Sequence, residues 1–323
     1  MLNFAILAPG SIAGKMAYAV SKIPEIKPYA VASRNLERAE RFAKEWNYEK
    51  AYGSYEEMVA DPAVELVYVA SPHSHHYEHA KLCIEAGKHV LVEKAFTVNA
   101  AQAEELVRLA KEKNVLLAEA IWTRYMPARK IIDDLIQEGI IGEIQSLTAN
   151  LGYDIRHKER LNKPELAGGA LLDVGLYPIQ FALMAVHESI CDIASSAVLS
   201  QEGVDLLNSV TITFESGVMA VLHSSMMSLT DREGVIYGDK GRIHVHNINN
   251  CEGITVYDKD NRIIKEVEMP PQINGYEYEV IACMNAIALG ETECKEMPLE
   301  ETVRGMRILD AIRAQWGMKY PCE

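Results

Sequence analysis

The sequence predicts an α/β protein: a doubly wound parallel sheet, then an α/β domain with a large open antiparallel sheet. Three observations carry this reading. Through the first third, short continuous apolar runs alternate with helical patterns, as buried parallel strands and their crossover helices do. Beyond Trp122 the runs change to apolar–polar alternation, broken by clusters of turn-forming residues. No repeat, low-complexity stretch or flexible linker divides the chain, so domains are expected at residues 1–120 and 121–323, packed closely.

Phe4–Ala8 is the first expected strand, and a helical pattern follows it to about Lys22. Tyr29–Ser33 reads as the second strand, and Leu36–Trp46 as an amphipathic helix charged on its outer face. Leu66–Ala70 and His89–Val92 are further buried strands, separated by the helix His76–Ala86 and the turn Gly87-Lys88. Ala100–Lys113 is a helix and Val115–Ala118 a strand; Met126–Glu138 is the helix after the change in pattern. Ile144–Tyr153, Ile193–Leu199, Ser209–Glu215 and Val218–Ser225 read as strands. Hairpin turns are expected at Glu215-Ser216-Gly217, Gly238-Asp239-Lys240-Gly241 and Lys259-Asp260-Asn261, which tolerate positive φ. The stretch GGALLDVGLYPIQ, Gly168–Gln180, reads as a buried helix, and Tyr276–Leu289 and Leu299–Trp316 as closing helices.

A chain of 323 residues can build two cores, and 49% hydrophobic with 24% charged residues is ordinary for a soluble protein. A net charge of −14 without any Lys/Arg block argues against nucleic-acid and anionic-membrane partners. No membrane span is expected. The six cysteines lack metal-ligand spacing and read as reduced thiols. MLNFAILAPG lacks a basic leader and a cleavage site, so it reads as a strand, with the cytoplasm as the expected location.

The first strand runs into Ala8-Pro9-Gly10-Ser11-Ile12-Ala13-Gly14, a degraded form of the dinucleotide fingerprint G-x-G-x-x-G/A. Ala8 takes the first glycine's place. Gly10 keeps the second, where backbone must approach a pyrophosphate, with Ser11 and Ile12 opening the helix whose N–H groups would receive it. A fold selecting NAD usually ends its second strand with an acid that binds the ribose hydroxyls. Here that strand ends in Ser33-Arg34, with Arg38 one turn further on, groups suited to a ribose 2′-phosphate. NADP is therefore favoured over NAD.

The stretches Ser71-Pro72-His73-Ser74-His75-His76, Gly87–Lys94 and Gly168–Tyr177, in this order and spacing, closely resemble the Gfo/Idh/MocA oxidoreductases, in particular the branch acting on dihydrodiols and sugars. Ala118–Pro127 and the C-terminal helix fit as well, so the likeness spans nearly the whole chain. The resemblance implies a Rossmann domain, a C-terminal open-sheet domain, and nicotinamide-dependent oxidation or reduction of a sugar, polyol or related diol. It also implies that Ser71, Pro72, His76, Glu93 and Lys94 lie at the cofactor, and that two copies pair through the open sheet as a homodimer. Two departures stand out. The family's Glu-Lys-Pro is Glu93-Lys94-Ala95 here, and a cis bond before alanine costs about 3 kcal/mol, which predicts a different presentation of Lys94. Ala8 in place of glycine should tighten the turn and weaken cofactor affinity modestly.

Oxidising a carbinol requires a group that takes the hydroxyl proton as the hydride leaves. A phenol, with an ordinary pKa of about 10, is a poor base unless an ammonium stabilises its phenolate. Tyr177 and Lys94 are the candidate pair, and which of them carries the proton is left open. Asp173, four residues before Tyr177 and so on the same helical face, is placed to accept from a substrate hydroxyl or to orient Lys94. The simpler alternative pairs Asp173 with an arginine and makes Tyr177 a core residue. Trp122 and Arg124 are candidates to pack on nicotinamide or hold the cofactor phosphate, against core packing and an ion pair. His73, His75, His76 and His79 cluster without a completing carboxylate or cysteine, so no metal is expected. Two other functional classes fit the same fold: a non-catalytic NAD(P) sensor, and a redox-assisted glycosidase with tightly held cofactor.

Overall fold

The computed structural model describes residues 1–323. The chain opens with β1 (Leu2–Leu7), α1 (Ser11–Val20), β2 (Ile26–Ala32), α2 (Leu36–Trp46), β3 (Lys50–Tyr52), α3 (Tyr55–Ala60), β4 (Leu66–Val69), α4 (His76–Glu85), β5 (His89–Glu93), α5 (Ala100–Lys113) and β6 (Leu117–Ala120). The strands form one parallel sheet in the order β3-β2-β1-β4-β5-β6. The order reverses between β1 and β4, the switch point where such sheets open a ligand crevice at their carboxyl ends. The helix limits follow from local chemistry. The Asn35 and Asn99 side chains cap α2 and α5, and Asn47 and Asn114 close them in the left-handed conformation. Neither β3 nor α3 is foreseen from local pattern, because β3 is a half-buried edge strand of three residues and α3 a helix of six.

The chain continues through α6 (Pro127–Gln137), β7 (Ile144–Gly152), α7 (Leu176–Ala185), β8 (Ile190–Leu199), β9 (Asp205–Phe214), β10 (Met219–Ser225), β11 (Gly234–Gly238), β12 (Gly241–His246), β13 (Gly253–Asp258) and β14 (Ile263–Val267), then α8 (Glu277–Leu289) and α9 (Leu299–Gln315). The eight later strands make a second sheet, ordered β14-β13-β12-β11-β7-β10-β9-β8. It is antiparallel except for β7 and β10, which run parallel. That pair escaped the sequence reading because a long connection through α7 and two strands intervenes. The three expected hairpin turns are all present, closing β9–β10, β11–β12 and β13–β14.

Two compact units result: Met1–Tyr125 with Gln272–Met306, and Met126–Pro271 with Arg307–Glu323. Where the sequence reading cut once after residue 120, contacts return residues 272–306 to the first unit, in which α8 packs on α1 and β5. In the second unit every residue of α7 is buried, and the helix lies on β7, β10 and β11. Phe181 fits there because residue 234 is glycine: a Cβ at Gly234 would stand 2.6 Å from the Phe181 ring. Contrary to the sequence expectation, one helical stretch, Pro164–Ala185, is long and apolar enough to cross a bilayer. Its most apolar window is 94% buried, so its hydrophobicity is accounted for by the core of this unit.

Candidate active site

In the first unit, the turn after β1 holds Ala8 at φ +66°, the left-handed region a glycine would occupy without strain. Gly10 then caps α1 in extended geometry, with no side-chain cap and no acid in the first turn. The first N–H groups of a helix, here those of Ser11 and Ile12, have no intrahelical acceptor. A Cβ at Gly10 would meet nothing within 4 Å, so the helix end opens onto free space. A pyrophosphate fits this arrangement.

At the end of β2, Ser33 is buried and its hydroxyl accepts from the Asn35 N–H at 3.3 Å. Arg34 lines a cleft of about 620 Å³ together with Gly53, Ser54, Tyr55, His75 and His79. It is the only Lys or Arg there, facing the carboxylates of Glu56 and Glu78. Arg38 is differently employed from the expected phosphate grip: its Nη2 donates to the Pro9 carbonyl at 2.5 Å, bracing the loop before α1.

The loops after β4 and β5 are joined by one imidazole. His76 is fully buried, its Nε2 2.7 Å from the Ser71 carbonyl and its Nδ1 2.7 Å from that of Ala95. Both nitrogens are thus engaged with backbone carbonyls. Pro72 caps the short helical turn His73–His75 between these loops. The His79 ring bonds Ser71 Oγ at 2.9 Å, and burial pulls its pKa down to about 4. The Lys94–Ala95 peptide is cis, although residue 95 is alanine and not proline. Glu93 accepts from the Tyr68 hydroxyl and from the Lys94 N–H. Beneath it lie two fully buried acids the sequence reading did not single out. Desolvation raises Glu119 to about 7, and raises Glu279 well above the carboxylate range, with the Glu93 charge adding to the effect. Trp122 stacks on Tyr276 with ring centroids 4.5 Å apart, and buried Arg124 donates to Glu301 at 3.1 Å. These contacts match the packing and ion-pair alternatives.

In the second unit, Gly168–Gln180 is not a uniform helix. Leu171–Gly175 forms a π turn that passes into α7, a distortion that recurs at functional sites. Asp173 and Tyr177 are both buried, 5% and 8% exposed, and Asp173 accepts from Arg160 Nη2 at 2.9 Å. The arginine pairing foreseen as the simpler alternative therefore exists. The turn is anchored by Asp205, whose Oδ2 accepts from the Leu171 N–H and from Asn208 Nδ2, both at 2.8 Å. Asn208 in turn accepts from the Ser224 hydroxyl at 2.9 Å. The glycines permit this approach: a Cβ at Gly169, which has φ +109°, would stand 2.2 Å from Asp205, and one at Gly175 2.8 Å from Ser224. Arg160, Asp205 and Asn208 were missed in the sequence. The available signal for Asp205 and Asn208 was an acid and an amide at buried positions of β9, whose other buried positions are Val210, Ile212 and Phe214.

A switch-point crevice, an open helix N-terminus after β1 and an arginine beyond β2 define a dinucleotide-binding protein. Residues 2–120 match the oxidoreductase family with an NAD-binding Rossmann fold, and residues 130–244 match the GFO/IDH/MocA C-terminal domain. The chain belongs to the GFO/IDH/MocA oxidoreductase family, is an oxidoreductase, and carries an NAD(P)-binding Rossmann domain. It is 33% identical to the trans-1,2-dihydrobenzene-1,2-diol dehydrogenase of Mus musculus over 99% of this chain and 98% of that one. The Homo sapiens enzyme of the same name is 31% identical over 99% and 98%. Among solved structures it resembles a 3-ketoreductase from Actinomadura kijaniata, in complex with NADP and TDP-benzene, at 26% identity, 97% coverage of each chain and a TM-score of 0.89. A tyrosine-to-phenylalanine variant of that ketoreductase has also been solved with the same ligands.

Proposed function

We propose that the protein is an NADP-dependent dehydrogenase or reductase acting on the carbinol of a dihydrodiol, sugar or polyol. The observation that carries this reading is the 31–33% identity, along the whole chain, to trans-1,2-dihydrobenzene-1,2-diol dehydrogenases. The preference for NADP rests on Ser33 and Arg34 beyond β2, where an NAD-selecting fold would carry an acid. When bound, the nicotinamide supplies the hydride chemistry. The N–H groups of Ser11 and Ile12 hold the pyrophosphate, and Arg34 holds the 2′-phosphate. His76 fixes the loops carrying Ser71, Pro72 and Ala95. Tyr177 and Lys94 share the proton taken from, or given to, the substrate oxygen, the ammonium favouring phenolate. Asp173, aligned by Arg160, accepts from a substrate hydroxyl. The reduced thiols favour the cytoplasm, and the second unit's open sheet face is proposed to pair with a second copy.

The test is nicotinamide absorbance during incubation with NADP⁺, or NAD⁺ in parallel, and a panel of trans-dihydrodiols, aldoses and polyols. A steady rise with one substrate class, faster with NADP⁺, is expected. Tight NADP binding with no rise would favour the sensor or the redox-assisted glycosidase, which a glycoside panel would then separate.

A further inference from the structure

We infer that Glu233, His244 and His246 form a binding site for a divalent transition metal of the zinc class on the second unit's sheet. Strand register brings them together. Gly234 pairs with Val245, so Glu233, just before β11, stands opposite His246, while His244 and His246, two residues apart on β12, share a face. Their donor atoms all lie within 4.8 Å of one another. Glu233 Oε2 is 2.5 Å from His244 Nε2 and 3.2 Å from His246 Nδ1.

Zinc bonds to imidazole and carboxylate of about 2.0–2.2 Å set neighbouring donors roughly 3.3 Å apart in a tetrahedron. The Glu233–His246 separation already meets this, and a small rotation of His244 completes the set. Glu233 Oε2 is shielded from solvent yet has no aligned hydrogen-bond donor, although two imidazoles face it. A supporting contact is also in place. His246 Nε2 lies 3.1 Å from Thr255 Oγ1, so a proton held there leaves the Nδ1 lone pair for a metal. Asp231, two residues before Glu233, adds a further carboxylate beside the cluster, its Oδ1 accepting from Asn150 Nδ2 at 2.5 Å. Two imidazoles and one carboxylate suit zinc, nickel or copper better than magnesium or calcium. Three protein donors leave a fourth position to water.

The alternative is a metal-free ion pair between Glu233 and protonated histidine. Calorimetric titration of the full-length, chelator-stripped protein with zinc chloride separates the two. One zinc per chain is expected, with affinity at least tenfold lower in Glu233→Gln and no binding at this site in the His244→Ala/His246→Ala double variant. Thr255→Val, which leaves all three ligands, should weaken binding about 10–100-fold. Metal-free thermal melts of each variant check that the fold persists. Absence of zinc binding by the wild type, or wild-type binding by the folded double variant, would overturn the assignment.

Discussion

At the residue scale, Ala8 and Tyr177 carry the clearest consequences. Ala8 occupies the left-handed region at φ +66°, which costs an L-residue about 1–2 kcal/mol, while glycine there would cost about 0.4–1 kcal/mol more in unfolded-chain entropy. Ala8→Gly is therefore expected to stabilise the protein by up to about 1 kcal/mol, read as a higher denaturant midpoint with an unchanged slope. A lower midpoint would mean that the alanine methyl makes compensating contacts. Tyr177→Phe removes only the hydroxyl from a buried ring. It should lower kcat by about 10²–10⁴-fold while NADP affinity, read by fluorescence, stays within twofold. Turnover at the wild-type rate would take Tyr177 out of the mechanism. Both positions were legible in the sequence, one as a broken fingerprint and the other as a polar interruption of an apolar run. His76 was legible only as a position. Its engagement of two carbonyls depends on how the β4 and β5 loops converge, which local sequence does not encode.

At the scale of elements, the π turn before α7 is set by groups far apart in the chain. Asp205 reaches it from β9 and Arg160 from the preceding loop. The apolar run predicted a helix correctly, but local periodicity does not report a long-range anchor, so neither the π turn nor Asp205 was foreseen. The same limit hid the Glu233–His244–His246 cluster. His244 and His246 are close in sequence, yet only strand register brings Glu233 opposite them. The limits of α2 and α5 were legible because asparagines at both ends mark them locally. Asp205→Ala, which leaves the Leu171 N–H and the Asn208 amide without their acceptor, should cost about 1–3 kcal/mol. Asp205 and Glu119 also predict a pH dependence. Burial raises their folded pKa values to about 6 and about 7, so between the ordinary carboxylate range and those values the folded state holds protons that the unfolded chain has lost. Stability should therefore fall as pH rises from about 4 to 7, by up to about 3 kcal/mol for each acid. Asp205→Asn and Glu119→Gln should each flatten part of this slope in denaturant titrations across that range. An unchanged slope in both variants would exclude these acids as its source.

At the scale of the whole molecule, the second unit's sheet poses the remaining question. Its inward residues, such as Leu147, Ala149, Leu222 and Ile236, are buried, and α7 lies on β7, β10 and β11. The opposite face alternates polar residues with Val198, Met219, Val221 and Tyr237, which are 50%, 43%, 48% and 36% exposed. Register aligns Met219 and Val221 on β10 with Ser146 and Thr148 on β7, so the apolar positions interleave with small polar ones as in a wet, specific interface. A second copy applied across a two-fold axis would cover this face with the same face, since such an interface is self-complementary. The wild-type protein is thus expected to sediment at twice its 36.0 kDa mass. Val221→Asp combined with Met219→Asp places two carboxylates from each chain in the contact, which an already acidic chain tolerates poorly at close range. The variant should sediment as a monomer with the far-ultraviolet spectrum of the wild type. A wild type that sediments as a monomer, or a folded variant that stays dimeric, would move the pairing surface elsewhere on the molecule.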